Sequence, residues 1–290
     1  MSTRSGSLRI AVASGKGGTG KTTLATNLAA VLASTDKGRV TYLDADVEAP
    51  NGHIFLHPEI RDQIAVRMPV PVVDEDRCTL CGRCAEFCQY SAIVSLGRQV
   101  LVFPELCHGC GGCRLVCPEE AIQEIDRRIG VVETGRAGSI SFVQGRLDVG
   151  HPLAPEVIRA AQRQLSGEGV QIVDAPPGTA CAAVQAVEGA DYVLLVAEPT
   201  PFGLNDLRLI VEMLGVLELP FGVVINRADR GSGLIREYCA GIGAEILLEI
   251  PDDRRVAEAY SRGELIAEAL PEYRPIFTGL SEQVERRVRG

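Results

Sequence analysis

Gly15-Lys16-Gly17-Gly18-Thr19-Gly20-Lys21-Thr22-Thr23 is the stretch of sequence that decides the fold. It follows an apolar run at 8–13 that is typical of a buried strand and precedes a run that is typical of a helix, which is the context that the pattern G-x-x-x-x-G-K-[ST] requires. Glycines let backbone N–H groups face phosphate oxygens, Lys21 reaches the terminal phosphates, and the Thr22 hydroxyl can ligate magnesium. The sequence therefore predicts a nucleotide phosphate site that runs from Gly15 to Thr23.

Composition limits the classes of protein to which this chain can belong. Its 290 residues are 46% apolar and 23% charged, which suits one large globular domain, alone or with a small one, and excludes an extended disordered protein. The formal charge of -9 argues against a protein that holds nucleic acid through phosphate contacts. No apolar run approaches the ~18 residues of a membrane helix, and residues 1–10 carry no signal-peptide pattern, so we expect a cytoplasmic protein without membrane association.

Short apolar runs alternate with helix-like segments along most of the chain. The predicted strands are 8–13, 40–43, 171–173, 192–196, 223–225 and 246–250, and the predicted helices are 21–32, 155–165, 204–217 and 233–241. Strands that are apolar on both faces and separated by helices are typical of a parallel sheet with helices on both sides. The sequence therefore predicts an α/β, doubly wound, mostly parallel fold.

A cysteine-rich segment interrupts this alternation. Most of the ten cysteines lie between Cys78 and Cys117, and in a chain expected to be cytoplasmic such clustering favours metal ligation over disulfides. We therefore predict a first part of the nucleotide-binding domain at 1–68, an inserted small α+β domain at 69–130, and a second part of the nucleotide-binding domain at 131–290. The glycine-rich residues 135–150 are interpreted as connecting structure.

Lys16 distinguishes this loop from a plain phosphate loop. A second lysine at this position resembles the deviant Walker A motif of the MinD, ParA, Mrp and nitrogenase-iron-protein ATPases, in which the extra lysine crosses a dimer interface to the partner's nucleotide. Residues 44–51 (DADVEAPN) and 174–178 (DAPPG) are similar to the switch I and switch II segments of that family. The resemblance implies a homodimer that binds ATP and Mg²⁺ at its interface.

Aspartates at the ends of predicted strands suit the chemistry of phosphoryl transfer. Transfer to water needs magnesium near the β- and γ-phosphates, an oriented water and positive charge on the leaving oxygens. The family resemblance implies that Asp46 orients the water, that Asp174 lies in the outer shell of the magnesium, and that Asp44 is a weaker candidate near the metal. Lys16 and Lys21 are the candidate catalytic cations. Helix capping is the alternative role for Asp46 and Asp174.

Asn226 is the candidate base-binding residue. It begins the segment Asn226-Arg227-Ala228-Asp229, directly after a predicted strand, and it resembles the adenine-contacting asparagine of the same family. The segment differs by one residue from the N-K-x-D guanine signature of GTPases, so GTP, like a purely structural role for Asn226, remains an alternative to the favoured ATP. Pro251 and Asp252, on the next loop, are predicted to close over the base.

The cysteines of the inserted segment form a repeat with the spacing C-x2-C-x2-C-x3-C. The first run is Cys78, Cys81, Cys84 and Cys88, and the second is Cys107, Cys110, Cys113 and Cys117. This spacing resembles that of bacterial two-cluster ferredoxins, in which the fourth cysteine of each run ligates the other cluster. The resemblance implies one [4Fe-4S] cluster on Cys78, Cys81, Cys84 and Cys117, and a second on Cys107, Cys110, Cys113 and Cys88.

Two zinc sites are the alternative for these cysteines, since paired C-x2-C units also bind zinc. One position departs from the ferredoxin pattern, because Gln89 rather than proline follows Cys88. Outside the repeat, Cys181 and Cys239 stand alone in the sequence, and we interpret both as buried small hydrophobic residues.

The position of the inserted segment links the two kinds of site. It lies between Asp46 and Asp174, so both of its connections return to segments that would sense the γ-phosphate. We therefore expect an ATP-hydrolysing dimer whose nucleotide state gates electron transfer, or the binding of an unidentified redox or regulatory protein, by the clusters.

Two other functions remain as alternatives. An iron-sulfur carrier of the Mrp type would present a C-terminal C-x2-C pair, whereas the C-terminal region here has only Cys239. A MinD-like positioning ATPase would need a membrane-attaching helix. The helical stripe formed by Phe277, Leu280, Val284 and Val288 is narrow, and we interpret it as packing on the body of the protein.

Overall fold

The computed structural model describes residues 7–35, 39–165 and 167–289, so the outer ends of the predicted nucleotide-binding segments, at 1–6 and 290, lie outside the described residues. The strands are β1 (Ser7–Ala13), β2 (Val40–Asp44), β3 (Glu59–Val73), β4 (Ile93–Ser95), β5 (Val100–Val102), β6 (Ile122–Ala137), β7 (Ile140–Leu147), β8 (Gly169–Asp174), β9 (Tyr192–Ala197), β10 (Phe221–Ala228) and β11 (Ile246–Pro251). The helices are α1 (Lys21–Ala33), α2 (Gly52–Leu56), α3 (Arg83–Phe87), α4 (Gly112–Leu115), α5 (Ala154–Gln162), α6 (Cys181–Val187), α7 (Pro201–Val216), α8 (Gly233–Ile242), α9 (Arg254–Ser261), α10 (Ile266–Ala269) and α11 (Arg274–Arg289). Every predicted strand and helix is present, with small differences at the ends.

In this part of the chain, nine strands form one sheet in the order β11-β10-β9-β1-β8-β2-β7-β6-β3. The pairings from β11 across to β7 are parallel, which confirms the predicted α/β class with a mostly parallel sheet. The last two pairings, of β6 with β7 and with β3, are antiparallel. Since parallel strands end at the same edge of a sheet, the loops that follow β1, β2, β8 and β10 lie side by side.

The interpretation of residues 135–150 as connecting structure is wrong for the strand residues and holds only for 138–139 and 148–150. They contain the end of β6, a turn at Gly138 with a φ of 59°, and the whole of β7, which pairs with β2. A Cβ added at Gly145 would lie 2.5 Å from Val47 Cγ1, and one added at Gly135 would overlap the carbonyl oxygen of Glu59. Glycine at these two positions allows close packing within strands, whereas Gly138 and Gly150, the latter with a φ of 80°, lie in turns.

Two hydrophobic cores cover the two faces of the sheet. Neighbouring residues of β1, such as Ala11 and Val12, belong to different cores because successive side chains of a strand point to opposite faces. Helix α11 packs on one of these cores, and its residues Phe277, Leu280 and Val284 are at most 1% exposed. This confirms that the C-terminal stripe packs on the body of the protein, with Val288, at 36% exposed, at its margin.

The cysteine-rich segment is carried on a long antiparallel ribbon formed by β3 and β6. The pairing runs from Glu59 opposite Arg136 to Val73 opposite Ile122, and the ribbon is continuous with the main sheet through β7. The boundaries expected from the sequence, at 69 and 130, therefore fall inside β3 and β6. The cysteine-bearing lobe, residues 74–121, lies beyond the far end of the ribbon and contains α3, α4 and the small β4–β5 sheet.

Candidate nucleotide and cysteine sites

A cleft of about 360 Å³ opens at the carboxyl edge of the sheet, where the glycine-rich loop joins β1 to α1. Several predicted residues line it: Gly17, Gly18, Gly20, Lys21, Thr22, Thr23, Asp46, Asn226, Pro251 and Asp252. Other predicted residues do not form its wall: Gly15, Lys16, Thr19, Asp44 and Asp174. The structure thus brings the phosphate loop, one aspartate and the candidate base-binding residues together, over distances of more than two hundred residues in the sequence.

Asn226 holds the glycine-rich loop in position. Its Nδ2 donates a hydrogen bond of 2.7 Å to the carbonyl oxygen of Thr19. The next residue, Gly20, has a φ of 97°, and a Cβ there would overlap the Asn226 amide, so glycine is required by both its backbone angle and its neighbour. The residue predicted to bind the base is therefore also a structural support of the phosphate loop.

Lys21 is the first residue of α1 and is only 6% exposed. Burial lowers the pKa of its ammonium group, while the nearby carboxylates of Asp174 and Asp46 oppose that effect. Lys16, by contrast, is exposed. One lysine of the loop is therefore directed into the protein's own cleft, and the other is free to meet a group outside it.

Asp44 clamps the loop that follows β2. Its carboxylate accepts hydrogen bonds from the backbone N–H groups of Asp46 (3.1 Å), Asn51 (2.9 Å) and Gly52 (2.8 Å). Burial, with the charge of Asp174 as the next cause, raises the pKa of this carboxyl well above its ordinary value. The geometry gives Asp44 the role of fixing the switch I-like segment to the start of α2.

Asp174 lies at the end of β8 and is 1% exposed. The Tyr42 hydroxyl donates to its Oδ2 at 3.0 Å, whereas its Oδ1 is buried with no hydrogen-bond partner in the described residues. Burial raises its pKa to about 6, and the Thr22 hydroxyl, Lys21 and Tyr42 oppose this rise. Burial likewise raises the pKa of Asp46, against the charge of Lys21. These carboxylate oxygens lie beside the phosphate loop, and Asp174 Oδ1 has no hydrogen-bond partner in the described residues. Such oxygens fit a magnesium ion and its water shell.

Several residues of the cleft wall were missed by the sequence analysis. They are Asn51, Pro177, Arg227, Ile250, Asp253, Val256, Ala257, Tyr260 and Ile266. Asn51 had a signal, since it ends the switch I-like segment, and its Oδ1 is buried without a partner in the described part of the chain. Tyr260 had none. It comes from α9 and its ring lies 5.0 Å from that of Phe55 on α2, a contact that only the tertiary fold creates.

The backbone of the cysteine lobe repeats as its sequence does. Positive φ angles occur at Leu80 (59°) and Gly109 (63°), at Gly82 (78°) and Gly111 (71°), and at Ser91 (52°) and Glu120 (48°). Each pair stands at equivalent positions of the two cysteine runs. Non-glycine residues rarely adopt such angles, so their recurrence indicates that the two halves form the same loop twice.

Each half contributes to two small cavities, and each cavity is lined by one of the cysteine sets expected from the sequence. One contains Cys78, Cys81, Cys84 and Cys117, and the other contains Cys88, Cys107, Cys110 and Cys113. All eight are free thiols. In the described residues no group of three or more His, Cys, Asp or Glu side chains is placed to hold a single metal ion. Four thiols line each cavity, and four is the number of cysteine ligands that a [4Fe-4S] cluster takes.

The two isolated cysteines differ in their surroundings. Cys239 is 1% exposed, and burial raises its pKa to about 11, which confirms the interpretation of a buried small hydrophobic residue. The same interpretation is wrong for Cys181, which is exposed at the start of α6. The apolar residues that follow it, among them Ala183 and Val187, face the core, and the helix turns Cys181 away from them.

Among the helices that the structure describes, none is both long enough and apolar enough to span a bilayer.

Comparison with known proteins identifies relatives over most of the chain. The family model described as CobQ/CobB/MinD/ParA nucleotide binding domain matches residues 10–266. An uncharacterised protein of Methanocaldococcus jannaschii is 34% identical over 224 residues, which cover 76% of this chain and 78% of that protein. A septum site-determining MinD from Pyrococcus horikoshii, solved with Mg-ADP, superposes with a TM-score of 0.59 at 20% identity over 96% of each chain. An iron-sulfur cluster carrier protein of Pseudomonas fragi is 48% identical over 60 residues, 19% of this chain and 21% of its own.

Proposed function

The chain belongs to the CobQ/CobB/MinD/ParA nucleotide-binding family, and from this premise we propose that it is a dimeric ATPase whose nucleotide state controls two [4Fe-4S] clusters in an inserted ferredoxin-like lobe. The observation that carries the proposal is one of connectivity. The segment clamped by Asp44 beside the phosphate loop leads directly through α2 into β3, and β3 runs to the cysteine lobe.

The chain's own residues can perform the steps of hydrolysis. Lys21 places positive charge at the terminal phosphates, and the backbone of the glycine-rich loop holds their oxygens. The Thr22 hydroxyl and, through water, Asp174 would hold Mg²⁺, which supplies further charge between the β- and γ-phosphates. Asp46, on the cleft wall, would orient the attacking water. Its raised pKa suits a carboxylate that accepts a hydrogen bond from the attacking water and can take up the proton that this water loses.

Lys16 is the residue on which the proposed dimer depends. It is exposed and does not line the cleft of its own chain, so its charge is available to a phosphate bound by a second copy. When the Lys16 ammonium of one copy meets a phosphate bound by the other copy, the two charges neutralise each other. Dimerisation then depends on which nucleotide is bound.

The two cysteine sets would ligate the clusters, which supply one-electron chemistry when bound. A lobe with so small a core, formed by Cys84, Ile93 and Ile122, gains stability from the ligands that close its loops. Burial raises the pKa of the Cys84, Cys107 and Cys113 thiols, to about 11 for Cys113, so these side chains hold their protons until a metal displaces them.

Anaerobic preparation of the full chain, followed by analysis of iron, sulfide and zinc, tests the metal content. We then expect Mg-ATP to shift the reduction potential or the chelator accessibility of the clusters. Lys16→Ala should abolish this shift but still bind ATP, whereas Lys21→Ala should lose binding itself. Identical cluster titrations with and without nucleotide in the iron-loaded protein would refute the coupling, and stoichiometric zinc without iron would refute the cluster assignment.

An iron-sulfur carrier is the second candidate function, supported by the partial match to the carrier protein of Pseudomonas fragi. The two candidates differ in what happens to the iron. A carrier transfers labelled iron to an apo-ferredoxin within its catalytic cycle, whereas an electron carrier retains it. The match covers 60 residues, and a full-length carrier would also need thiols that release their metal.

A further inference from the structure

We infer that the two clusters respond unequally to nucleotide: the cluster on Cys88, Cys107, Cys110 and Cys113 (the inner cluster) is coupled to the ATP cleft, and the one on Cys78, Cys81, Cys84 and Cys117 (the outer cluster) is insulated from it. This inference rests on the proposed function and assigns the regulation to one site.

The large hydrophobic core contacts ligands of only one of the two cysteine sets. Cys107 is 8% exposed and belongs to the large core on one face of the nucleotide-binding sheet, and Cys88 packs against that core. Cys84, by contrast, belongs to a separate small core inside the lobe, against which Cys117 packs together with the inner-set residues Cys88 and Cys113. None of the outer-cluster cysteines is part of the large core in the residues that the structure describes. Only the inner set therefore shares packing with the ATPase body.

Met68 on β3 is the point of contact between the ribbon and the inner set. Its side chain is 5% exposed in the large core, and a Cβ added at Gly109 would lie 2.6 Å from Met68 Cγ and 3.3 Å from the Pro69 carbonyl oxygen. Gly109 lies between two inner-cluster ligands, and its N–H donates to Cys107 Sγ at 3.4 Å. The loop that holds the inner cluster thus rests directly on β3.

The outer cavity lies farther along the same ribbon. Pro69 and Pro71 line the inner cavity, whereas Val73 and Ile122, the last paired residues, line the outer one. Val73 lies four residues beyond Pro69 and two beyond Pro71, which is about 13 Å and about 7 Å along the strand at ~3.3 Å per residue. A displacement that begins at the base of the ribbon reaches the inner ligands first, through side chains that are already packed together.

The packing contacts that lead to Met68 begin in the switch I-like segment, residues 44–51. Ala45 and Val47, within the loop clamped by Asp44, belong to the same large core as Met68 and Cys107. The Val47 carbonyl oxygen accepts a hydrogen bond of 2.8 Å from the N–H of Leu147, so a shift of the loop is also passed to β7 and thence to β6. Close-packed interiors transmit such shifts because they hold few voids to absorb them.

The quantity that changes is the reduction potential of the inner cluster. Potentials of iron-sulfur centres depend on N–H···S hydrogen bonds and on exposure to solvent. Movement of Met68 relative to Gly109 alters the hydrogen bond to Cys107 and the burial of that ligand. When a cluster is bound, its reduction would take one electron from an external low-potential donor and its oxidation would pass that electron to an external acceptor, with no covalent bond to the protein broken.

Anaerobic redox titration of the iron-loaded full chain, followed by electron paramagnetic resonance, tests this inference. Cys81→Ser and Cys110→Ser alter equivalent, exposed ligands of the outer and inner sets and so assign the two signals. With Mg²⁺ and a non-hydrolysable ATP analogue, we expect the inner potential to shift by about 59 mV, the equivalent of a tenfold change in the one-electron equilibrium. The outer potential should stay in place.

Met68→Ala should abolish the inner shift while the iron content and the affinity for the analogue are retained, and Met68→Leu should restore it. Val284→Ala, a truncation in the core on the opposite face of the sheet, is the matched control and should leave the inner shift intact. An equal shift of both clusters, a shift of the outer one alone, or an unchanged shift in Met68→Ala would overturn the inference and leave the proposed gating in place. No shift of either cluster in the wild-type protein would overturn the gating itself.

Discussion

The substitution Asp174→Asn distinguishes the effect of this buried carboxylate on the stability of the protein from its effect on ATP hydrolysis. Asp174 is 1% exposed, and burial raises its pKa from 3.8 to about 6. Between these two pH values the native protein keeps a proton that the unfolded chain has released, so stability falls as the pH rises through this window. Below pH 3.8 the group contributes no difference, and above pH 6 the full cost is present.

The size of the cost follows from the shift. At about 1.4 kcal/mol per pKa unit, the ionised carboxylate lowers stability by up to about 3 kcal/mol, and about half of this change falls between pH 5 and pH 8. Asparagine has nearly the same shape, carries no charge, and can still accept the hydrogen bond from Tyr42 through its Oδ1. We therefore expect Asp174→Asn to be more stable than the wild type at pH 8, to lose most of this advantage at lower pH, and to lose ATP hydrolysis.

Thermal unfolding followed by far-ultraviolet circular dichroism, without nucleotide or Mg²⁺ and at matched iron content, measures this advantage. At roughly 2 °C per kcal/mol, the Tm should rise by about 6 °C at pH 8. The control is Asp44→Asn, in which the amide NH2 would face either the Asp46 N–H or the N–H groups of Asn51 and Gly52, so removal of charge there should lower the Tm instead. The reasoning would be refuted if the Asp174→Asn protein were less stable than the wild type at pH 8. It would also be refuted if the difference in Tm between the two proteins were the same at pH 5 and pH 8.

Three further substitutions test local features of the structure. Gly20→Ala should lower stability by about 1–3 kcal/mol and weaken ATP binding measured by calorimetry, because the φ of 97° and the Asn226 amide both oppose a Cβ; unchanged affinity would contradict this. Cys181→Ser, at an exposed position, should change neither the iron content nor the Tm by a measurable amount. Cys239→Ser should lower stability by about 1–3 kcal/mol in chemical denaturation, since its hydroxyl would lie in the core without a partner; equal effects of the two serine variants would show that both cysteines have the same environment.

The parts of the structure that follow local rules could be predicted from the sequence. A glycine-rich loop between an apolar strand and a helix specifies its own geometry, and the parallel strands follow from short runs that are apolar on both faces. The resemblance to two-cluster ferredoxins likewise implied which thiols share a cavity, including the exchange of Cys88 and Cys117 between the halves. The loop and the strands depend on residues within one short segment, whereas the exchange of Cys88 and Cys117 joins two repeats.

The features that were missed depend on contacts between distant segments. Gly135 and Gly145 resemble turn residues in the sequence, and only the approach of Glu59 and Val47 explains why they are glycine within strands. Tyr260 reaches the cleft because α9 packs beside α2, which no local pattern of α9 encodes. The role of Asp44 as a clamp depends on three backbone N–H groups, and those become visible only when the loop is folded.

The place of the ribbon in the sheet explains how one fold can carry both sites. Strands β6 and β3 are added beyond β7, at the edge of the sheet, so the parallel strands that position the phosphate loop keep all their partners. An edge strand can shift with its lobe without breaking the central ladder. Its exposed part carries charged residues such as Arg61 and Asp62 near its base, which discourage pairing with other chains. The same arrangement leaves the contact of Met68 with the inner set as a direct packed route from the switch loop to the cysteines.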